Sequence, residues 1–460
     1  MVFLSIIILV FKILKSVSQG EGKMKIISHR TIVLLISIML LTSCSLTGKT
    51  NDVIDNPQPI KLTIMHNWIV QDGKALAMRT ILEDFRATYP NIIIEEEGLS
   101  TDGLKSRLRT LAAADEMPDL FVMWPDAMTK DFVKAGHLQP IDDFLANKPE
   151  WKNNFLPGAF DGYTVNNQIY TVPMNLAPTS FIYYNRAIFD QYQVKVPTTW
   201  LELLNAIEIF NRNNMIPIAL GNKSTWVVQS TIFSTLADRI TGSDWFNRVR
   251  NQDGASFTDP EFIQALEVLQ NLKEVGAFQS GYNSIDENEM MQLYLNGKSA
   301  MVINGGWAVS SIVNNATADV LEHTHVMILP PIEGGKGVAL STSGVVGTGL
   351  GVNINLTGER KEAAMKLFYA LSGPEGQQAT LDSNTLISYK ISLDESKLSP
   401  LFIELNELVQ SINISSVYDS SLNSETADVL NNGLQEILLG GDPVIIAQKI
   451  QDAQDASLAK

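Results

Sequence analysis

Past residue 59 the chain moves between two hydrophobic rhythms. Ile60, Leu62 and Ile64 occupy every second position, as a half-buried strand does, and Ile81, Leu82, Phe85 and Tyr89 then recur every three or four residues until Pro90 ends the helix they predict. Residues 91–95 read as a second strand, 104–114 as a helix, 119–124 as an apolar strand, and 126–135 as a helix closed by Gly136 at the position that tolerates a left-handed backbone. Strand and helix in strict alternation predict an α/β fold, a parallel sheet with helices on its faces. The pattern continues with strands at 181–184 and 216–220, a helix over 199–211 whose Trp200, Leu203, Leu204, Ile207 and Phe210 share one face, and a helix around 229–240. Asp259-Pro260-Glu261 opens a helix with a capping acid, Pro at the first position and an acid in the first turn. Residues 299–303, 326–329 and 350–354 read as strands; from 359 onward the chain is almost wholly helical, with Pro374, Pro400 and Pro443 marking helix starts.

The first 44 residues follow a different logic. Met24, Lys25, His29 and Arg30 precede an apolar run over 31–41 that stops at Leu41-Thr42-Ser43-Cys44, the order of a secretory leader with a lipoprotein cleavage site. Cys44 is the only cysteine, and acylation of a new N-terminus there explains both its place and its uniqueness; the alternative is a buried thiol ending an ordinary apolar helix. A diacylglyceryl group carries two chains, enough for stable anchoring. A second apolar run over 2–14 is broken by Lys12, and Lys23-Met24-Lys25 suggests that translation starts at Met24. The polar, turn-rich residues 51–59 suit a flexible tether. The expected organisation is therefore a signal peptide over 1–43, an anchor and tether over 44–57, and a globular remainder held outside the cytoplasm of a Gram-positive cell.

Charge narrows the partners. Five basic residues and one acid fall in residues 1–44, which leaves 29 Lys and Arg against 49 Asp and Glu, a net charge of −20. That excess repels phosphate backbones, so no nucleic acid is expected. The 416 residues after Cys44 exceed what one core usually organises, and two lobes are expected. No later apolar stretch reaches membrane-spanning length. Enzyme signatures are missing: there is no Gly-x-Ser-x-Gly elbow, no His-Glu-x-x-His, no phosphate-binding Gly-rich run and no EF-hand loop. No metal and no cofactor are expected, His323 and His325 being read as surface residues. A glycosidase carboxylate pair stays open, since it is defined by separation in space.

Several segments in order carry a likeness. They are Ile81-Leu82-Glu83-Asp84-Phe85 leading to Tyr89-Pro90-Asn91, Pro118-Asp119-Leu120 running into Trp124, and Gly162-Tyr163 through Ile169-Tyr170-Thr171-Val172-Pro173. Tyr183-Tyr184-Asn185, Val196-Pro197-Thr198-Thr199-Trp200, Asn296-Gly297-Lys298-Ser299-Ala300-Met301 ending in Gly305-Gly306-Trp307, and Gly373-Pro374-Glu375-Gly376 follow. Together, behind the lipoprotein signal, they resemble the extracellular solute-binding proteins of bacterial ABC importers, in particular the sugar-carrying group similar to maltose-binding protein. The resemblance implies a two-lobed, periplasmic-binding-protein-like α/β fold with a ligand cleft, an N-lobe of 58–178 plus 348–394, a C-lobe of 179–347 plus 395–460, and crossovers near 173–182, 345–351 and 390–398. It implies a monomer that binds a carbohydrate and delivers it to ABC permease subunits without turning it over. A receptor of the same fold for a non-sugar solute is the alternative, and a polyamine site would need cleft carboxylates to outnumber stacking rings.

A sugar offers an apolar face and a rim of hydroxyls, which calls for flat rings and paired donors and acceptors. Trp68, Trp124, Trp226 and Trp307 stand at strand or loop ends, where ligands of open α/β sheets bind. The resemblance places Trp124, Trp226 and Trp307 at sugar-stacking positions and Asn175 in the cleft; the bland reading of each indole is a lobe core. Asp126 is either a ligand acceptor or the N-cap of the helix it opens. Gly305 and Gly306 let backbone approach a ligand or form the turn into the next helix. Trp151, Trp200 and Trp245 read as structural, and Asp419 as a surface turn.

Overall fold

A computed structural model describes residues 58–69 and 72–458. The leader, Cys44 and most of the tether lie outside them. The first run of elements is β1 (Ile60–His66), α1 (Gly73–Thr88), β2 (Ile92–Gly98), α2 (Thr101–Ala114), β3 (Leu120–Met123) and α3 (Ala127–Lys134). Both long helices start at side-chain caps: Asp72 accepts the Ala75 N–H at 2.7 Å and Ser100 the Gly103 N–H at 3.2 Å. α1 buries Ala75, Met78, Leu82 and Phe85, and α2 buries Leu104, Leu108 and Leu111, so Lys105 and Arg109 fall on another face of α2. β1 runs parallel to β2 and β3, with Ile60 beside Ile92 and Ile64 beside Leu120.

The chain then passes through β4 (Ala177–Pro178) into β5 (Phe181–Asn185), α4 (Trp200–Arg212) and β6 (Ile216–Ala219). α5 (Trp226–Val228) continues through a five-residue π turn, Gln229–Phe233, into α6 (Ser234–Thr241), so the helix expected over 229–240 starts earlier and is partly π-wound. Next come α7 (Pro260–Glu274), α8 (Glu287–Leu295), β7 (Ser299–Asn304), α9 (Ala308–Asn315), β8 (Thr324–Ile328), β9 (Ser341–Val345) and β10 (Gly349–Val352). At α7 the expected capping acid is engaged elsewhere. Asp259 makes no capping bond, and its Oδ2 accepts the Trp245 indole N–H at 2.9 Å instead. A buried indole donor needs an acceptor, whereas a helix start can be solvated. The remaining elements are α10 (Gly358–Ser372), α11 (Pro374–Asp382), α12 (Pro400–Gln410), β11 (Asn413–Ser416), α13 (Tyr418–Ser421), α14 (Ser424–Leu438) and α15 (Pro443–Leu458).

Two hydrophobic cores result. One draws on 62–174 and 350–389 around the sheet β10-β3-β1-β2; the other draws on 181–329 and 381–450 around β8-β5-β7-β6. The molecule is a two-lobed α/β protein. The purely parallel sheet expected from strand–helix alternation is not what forms. β10 lies antiparallel to β3 with Gly349 opposite Met123, and β5 is antiparallel to both β7 and β8. Both exceptions enter from the other lobe, so no strand–helix–strand crossover fixes their direction. Leu381 and Leu386, assigned from sequence to the first lobe, pack in the second core.

Three segments bridge the cores side by side. β9 pairs antiparallel with β4, Gly344 opposite Pro178, and parallel with β11. The Leu176 N–H donates to the Leu386 carbonyl at 2.8 Å, and the Ser388 hydroxyl donates to the Val346 carbonyl at 3.2 Å.

Candidate functional site

Between the two lobes lies a cavity of about 590 Å³. Its first wall is built from the ends of β1 and β3 and the starts of α1 and α2; its second wall comes from α5, α8, the turn after β7, α13 and α14.

All four indoles singled out from sequence reach this cavity, together with Asn175. Trp68 stands two residues past β1 and stacks on His66, ring centroids 4.6 Å apart and planes 12° from parallel. Burial lowers the His66 pKa, against the pull of Glu96. The Trp68 ring is only 2% exposed and its Nε1 has no hydrogen-bond partner, so it is a donor with nothing to donate to. Trp124 follows β3, and the Lys105 ammonium lies 4.9 Å from its ring centroid. Trp226 opens α5 and Trp307 follows β7, their centroids 6.2 Å apart at 54°.

Trp307 is held from two sides. Its Nε1 donates to Glu287 Oε1 at 2.8 Å, and the Asn304 amide donates to the same oxygen at 3.0 Å. Burial raises the Glu287 carboxyl pKa, while those two donors work to lower it. Beneath the ring is Gly305, where a Cβ would stand 2.0 Å from the indole; only glycine allows that approach.

Asn175 joins the bridging segments to the first wall. Its Oδ1 accepts Lys74 Nζ at 2.8 Å and the Thr348 N–H at 3.1 Å, while Lys74 also donates to the Thr348 hydroxyl at 2.6 Å. Burial holds the Lys74 ammonium down to about 8, with the Asp72 carboxylate opposing. Asp72 is itself raised by burial, which outweighs the bond from the Ala75 N–H.

Two candidates are not brought to the cavity wall. Asp126 has φ 63 and ψ −109, makes no capping bond, and points its Oδ2 toward Gly162. It is neither a side-chain cap nor among the residues that line the cavity, although Pro125 and Ala127 on either side of it are. Gly306 packs by its backbone on the bridging segments, its N–H donating to the Pro178 carbonyl at 2.9 Å; it does not line the cavity. Asp419 corrects the reading in the other direction. Expected as a surface turn, it lines the cavity with a side chain 8% exposed, and burial raises its pKa against Lys105.

Sequence reasoning missed Lys74, Lys105, Glu287 and Asn431, whose Oδ1 is buried without a partner. Glu287 sits in the first turn of a helix and Lys105 on a polar helix face, where charged residues are ordinary, so neither carries a local signal. Trp151 and Trp245 are buried in the lobe cores, as expected. Among the described residues no His, Cys, Asp and Glu cluster is placed to hold a metal ion, and no helix is long and apolar enough to cross a membrane.

Comparison with known proteins bears on this geometry. Residues 71–378 match the family described as bacterial extracellular solute-binding protein. An uncharacterised ABC transporter extracellular-binding protein of Pyrococcus horikoshii is 27% identical over 256 residues, 55% of this chain and 57% of that one. A multiple sugar-binding protein of Streptococcus mutans serotype c is 25% identical over 283 residues, 60% of this chain and 65% of that one. The chain thus spans under two thirds of the length of these curated relatives. A chitin oligosaccharide binding protein of solved structure superposes with a TM-score of 0.80 at 24% identity, over 88% of this chain and 100% of that one.

Proposed function

Because the chain belongs to the bacterial extracellular solute-binding protein family, whose members are binding proteins, we propose that it captures a mono- or oligosaccharide outside the cytoplasm and delivers it to the permease of an ABC importer. The observation that carries this reading is the cavity itself: four indoles split between two walls, with the polar side chains of Asn175, Glu287 and Asp419 beside them. Indole faces suit the apolar face of a sugar ring, and polar side chains among them suit its hydroxyls. A ligand touching both walls stabilises their approach, so binding shifts a hinge equilibrium about the three bridging segments, and the permease reads the closed form. Micromolar capture needs about −8 kcal/mol, within reach of a few stacked rings and satisfied hydrogen bonds. In this proposal the lobes are 58–178 with 348–394 and 179–347 with 395–460, the stretch around Leu381 and Leu386 joining the second.

Cys44 is the anchor in this proposal, carrying diacylglycerol at the mature N-terminus of a monomer. The protein alters no bond in its ligand. A thermal-shift screen against a carbohydrate panel tests the core of the reading, since a ligand that prefers the folded state raises the melting temperature. A rise with one or a few related sugars is expected; no rise with any sugar removes the reading.

One observation favours a second reading. The cavity is lined by six carboxylates (Asp72, Asp102, Asp131, Glu287, Asp419 and Asp428) against four indoles and three cations. That count meets the condition for a polyamine or other cationic solute. Against it, Asp419 faces Lys105 at 3.9 Å and Asp428 pairs with Arg109 at 3.1 Å, while Glu287 and Asp72 already accept protein donors. Spermidine in the same screen separates the two.

A further inference from the structure

Lys105 and Arg109 lie four residues apart on α2, one turn above the other, and both line the cavity. Each reaches the opposite wall: Arg109 Nη1 stands 3.1 Å from Asp428 Oδ2, and Lys105 Nζ stands 3.9 Å from Asp419 Oδ2. The two contacts differ in what else they touch. The Lys105 ammonium also sits 4.9 Å from the centroid of the Trp124 ring, so it lies between an indole of one wall and a carboxylate of the other. Its side chain is 29% exposed and that of Asp419 only 8%, a setting in which a cation over an indole is better held than in open solvent. Among the described residues Trp124 is the one cavity indole with a cation over it; Trp226 and Trp307 have none.

We propose that Lys105 is a specificity-determining residue that sets the length of oligosaccharide the cavity accepts. This rests on the carbohydrate reading given above. A sugar ring and an ammonium cannot share the face of Trp124. A short ligand seated on the Trp226 and Trp307 pair leaves Lys105 in place and keeps the Asp419 contact between the walls. A longer ligand must lift the ammonium from the indole before its last ring can stack there, so that ring gains only the difference between two contacts with the same surface. The cost falls on the added ring alone, which makes Lys105 a brake on length and leaves the short ligands untouched.

The test has two arms. In ligand-free protein, acrylamide quenching of tryptophan fluorescence should increase on Lys105→Met, and the increase should vanish in a Trp124→Phe background. Unchanged quenching in both backgrounds overturns the proposal. In the second arm, titration calorimetry compares wild type and Lys105→Met over chito- and malto-oligosaccharides from the disaccharide to the hexasaccharide. The longest ligands that bind should tighten about two- to tenfold while the shortest change less than about twofold. Arg109→Ala, which leaves Trp124 covered, should not change the dependence on length. A uniform change over the ladder, or none, overturns the length rule. If no saccharide binds wild type, the carbohydrate reading falls and takes the length rule with it, while the quenching arm still decides whether Lys105 covers Trp124; a length rule that fails while sugars bind leaves that reading standing.

Discussion

The two walls of the cavity carry the same number of indoles and different charge patterns, the first balancing three cations against Asp72, Asp102 and Asp131. Every cation that lines the cavity, Lys74, Lys105 and Arg109, comes from the first wall, whereas the charged residues of the second wall are all carboxylates: Glu287, Asp419 and Asp428. Their indoles differ as well. On the second wall the Trp307 N–H is already taken by Glu287, while on the first wall the Trp68 N–H has no partner. Each wall also keeps one buried polar atom without a partner, the Trp68 Nε1 on the first and the Asn431 Oδ1 on the second. On the second wall a ligand would meet a stacking surface already fixed by the bonds that join Trp307, Glu287 and Asn304.

The largest expected effect tests the pre-arranged wall. Trp307→Ala removes a stacking face and leaves Glu287 with Asn304 as its remaining donor. Affinity for the sugar found in the screen should fall about thirtyfold, or about 2 kcal/mol, with the melting temperature little changed because the ring is only partly buried. Titration calorimetry decides it, and an unchanged heat removes Trp307 from the site and ends the contrast between the walls.

The next effect belongs to the first wall and is read as stability against pH. Burial lowers the Lys74 pKa from 10.5 to about 8, so between those values the unfolded chain binds more protons than the folded one. Stability therefore rises with pH across that window, as the folded ammonium loses its proton and the burial penalty with it. Comparing wild type with Lys74→Met isolates the contribution, since the other titrating groups cancel. Its size is on the order of 1 kcal/mol once partial exposure is discounted. A difference in melting temperature that stays flat from about pH 8 to 10.5 would show that Lys74 is no more buried than a surface lysine.

How far the sequence foretold this contrast depends on the kind of residue. Periodicity located β1, α1 and α4 within a few residues, because each has an apolar face that only one core can take, and the unbroken apolar run of β3 located that strand. The four indoles were legible in another way: Trp68 through its place at a strand end, and Trp124, Trp226 and Trp307 through the family resemblance as well. The antiparallel strands β5 and β10 were not, since direction there is set by a chain returning from the other lobe. Nor were Lys74, Glu287 and Asp419, whose roles come from contacts between separate elements: Lys74 with Asn175 and Thr348, Glu287 with Asn304 and Trp307, and Asp419 with Lys105. Asp126 shows the converse failure. Its place after Trp124 suggested chemistry, but it adopts an uncommon backbone conformation, invisible in composition, and neither caps the helix nor lines the cavity.

The smallest effect bears on whether the ion pairs between the walls matter energetically at all. Arg109 and Asp428 form the most direct ion pair across the cavity, yet their side chains are 47% and 57% exposed, and pairs of that kind contribute little. Arg109→Ala should change stability by less than about 0.5 kcal/mol, and the change should disappear at about 1 M salt, where screening acts over about 3 Å. Thermal melting in a salt series measures both. A tenfold loss of ligand affinity on the same substitution would show that attraction between the walls, more than the ligand's own contacts, holds them together; an affinity within about twofold of wild type assigns closure to the indoles and to the buried polar groups around Asn175 and Glu287.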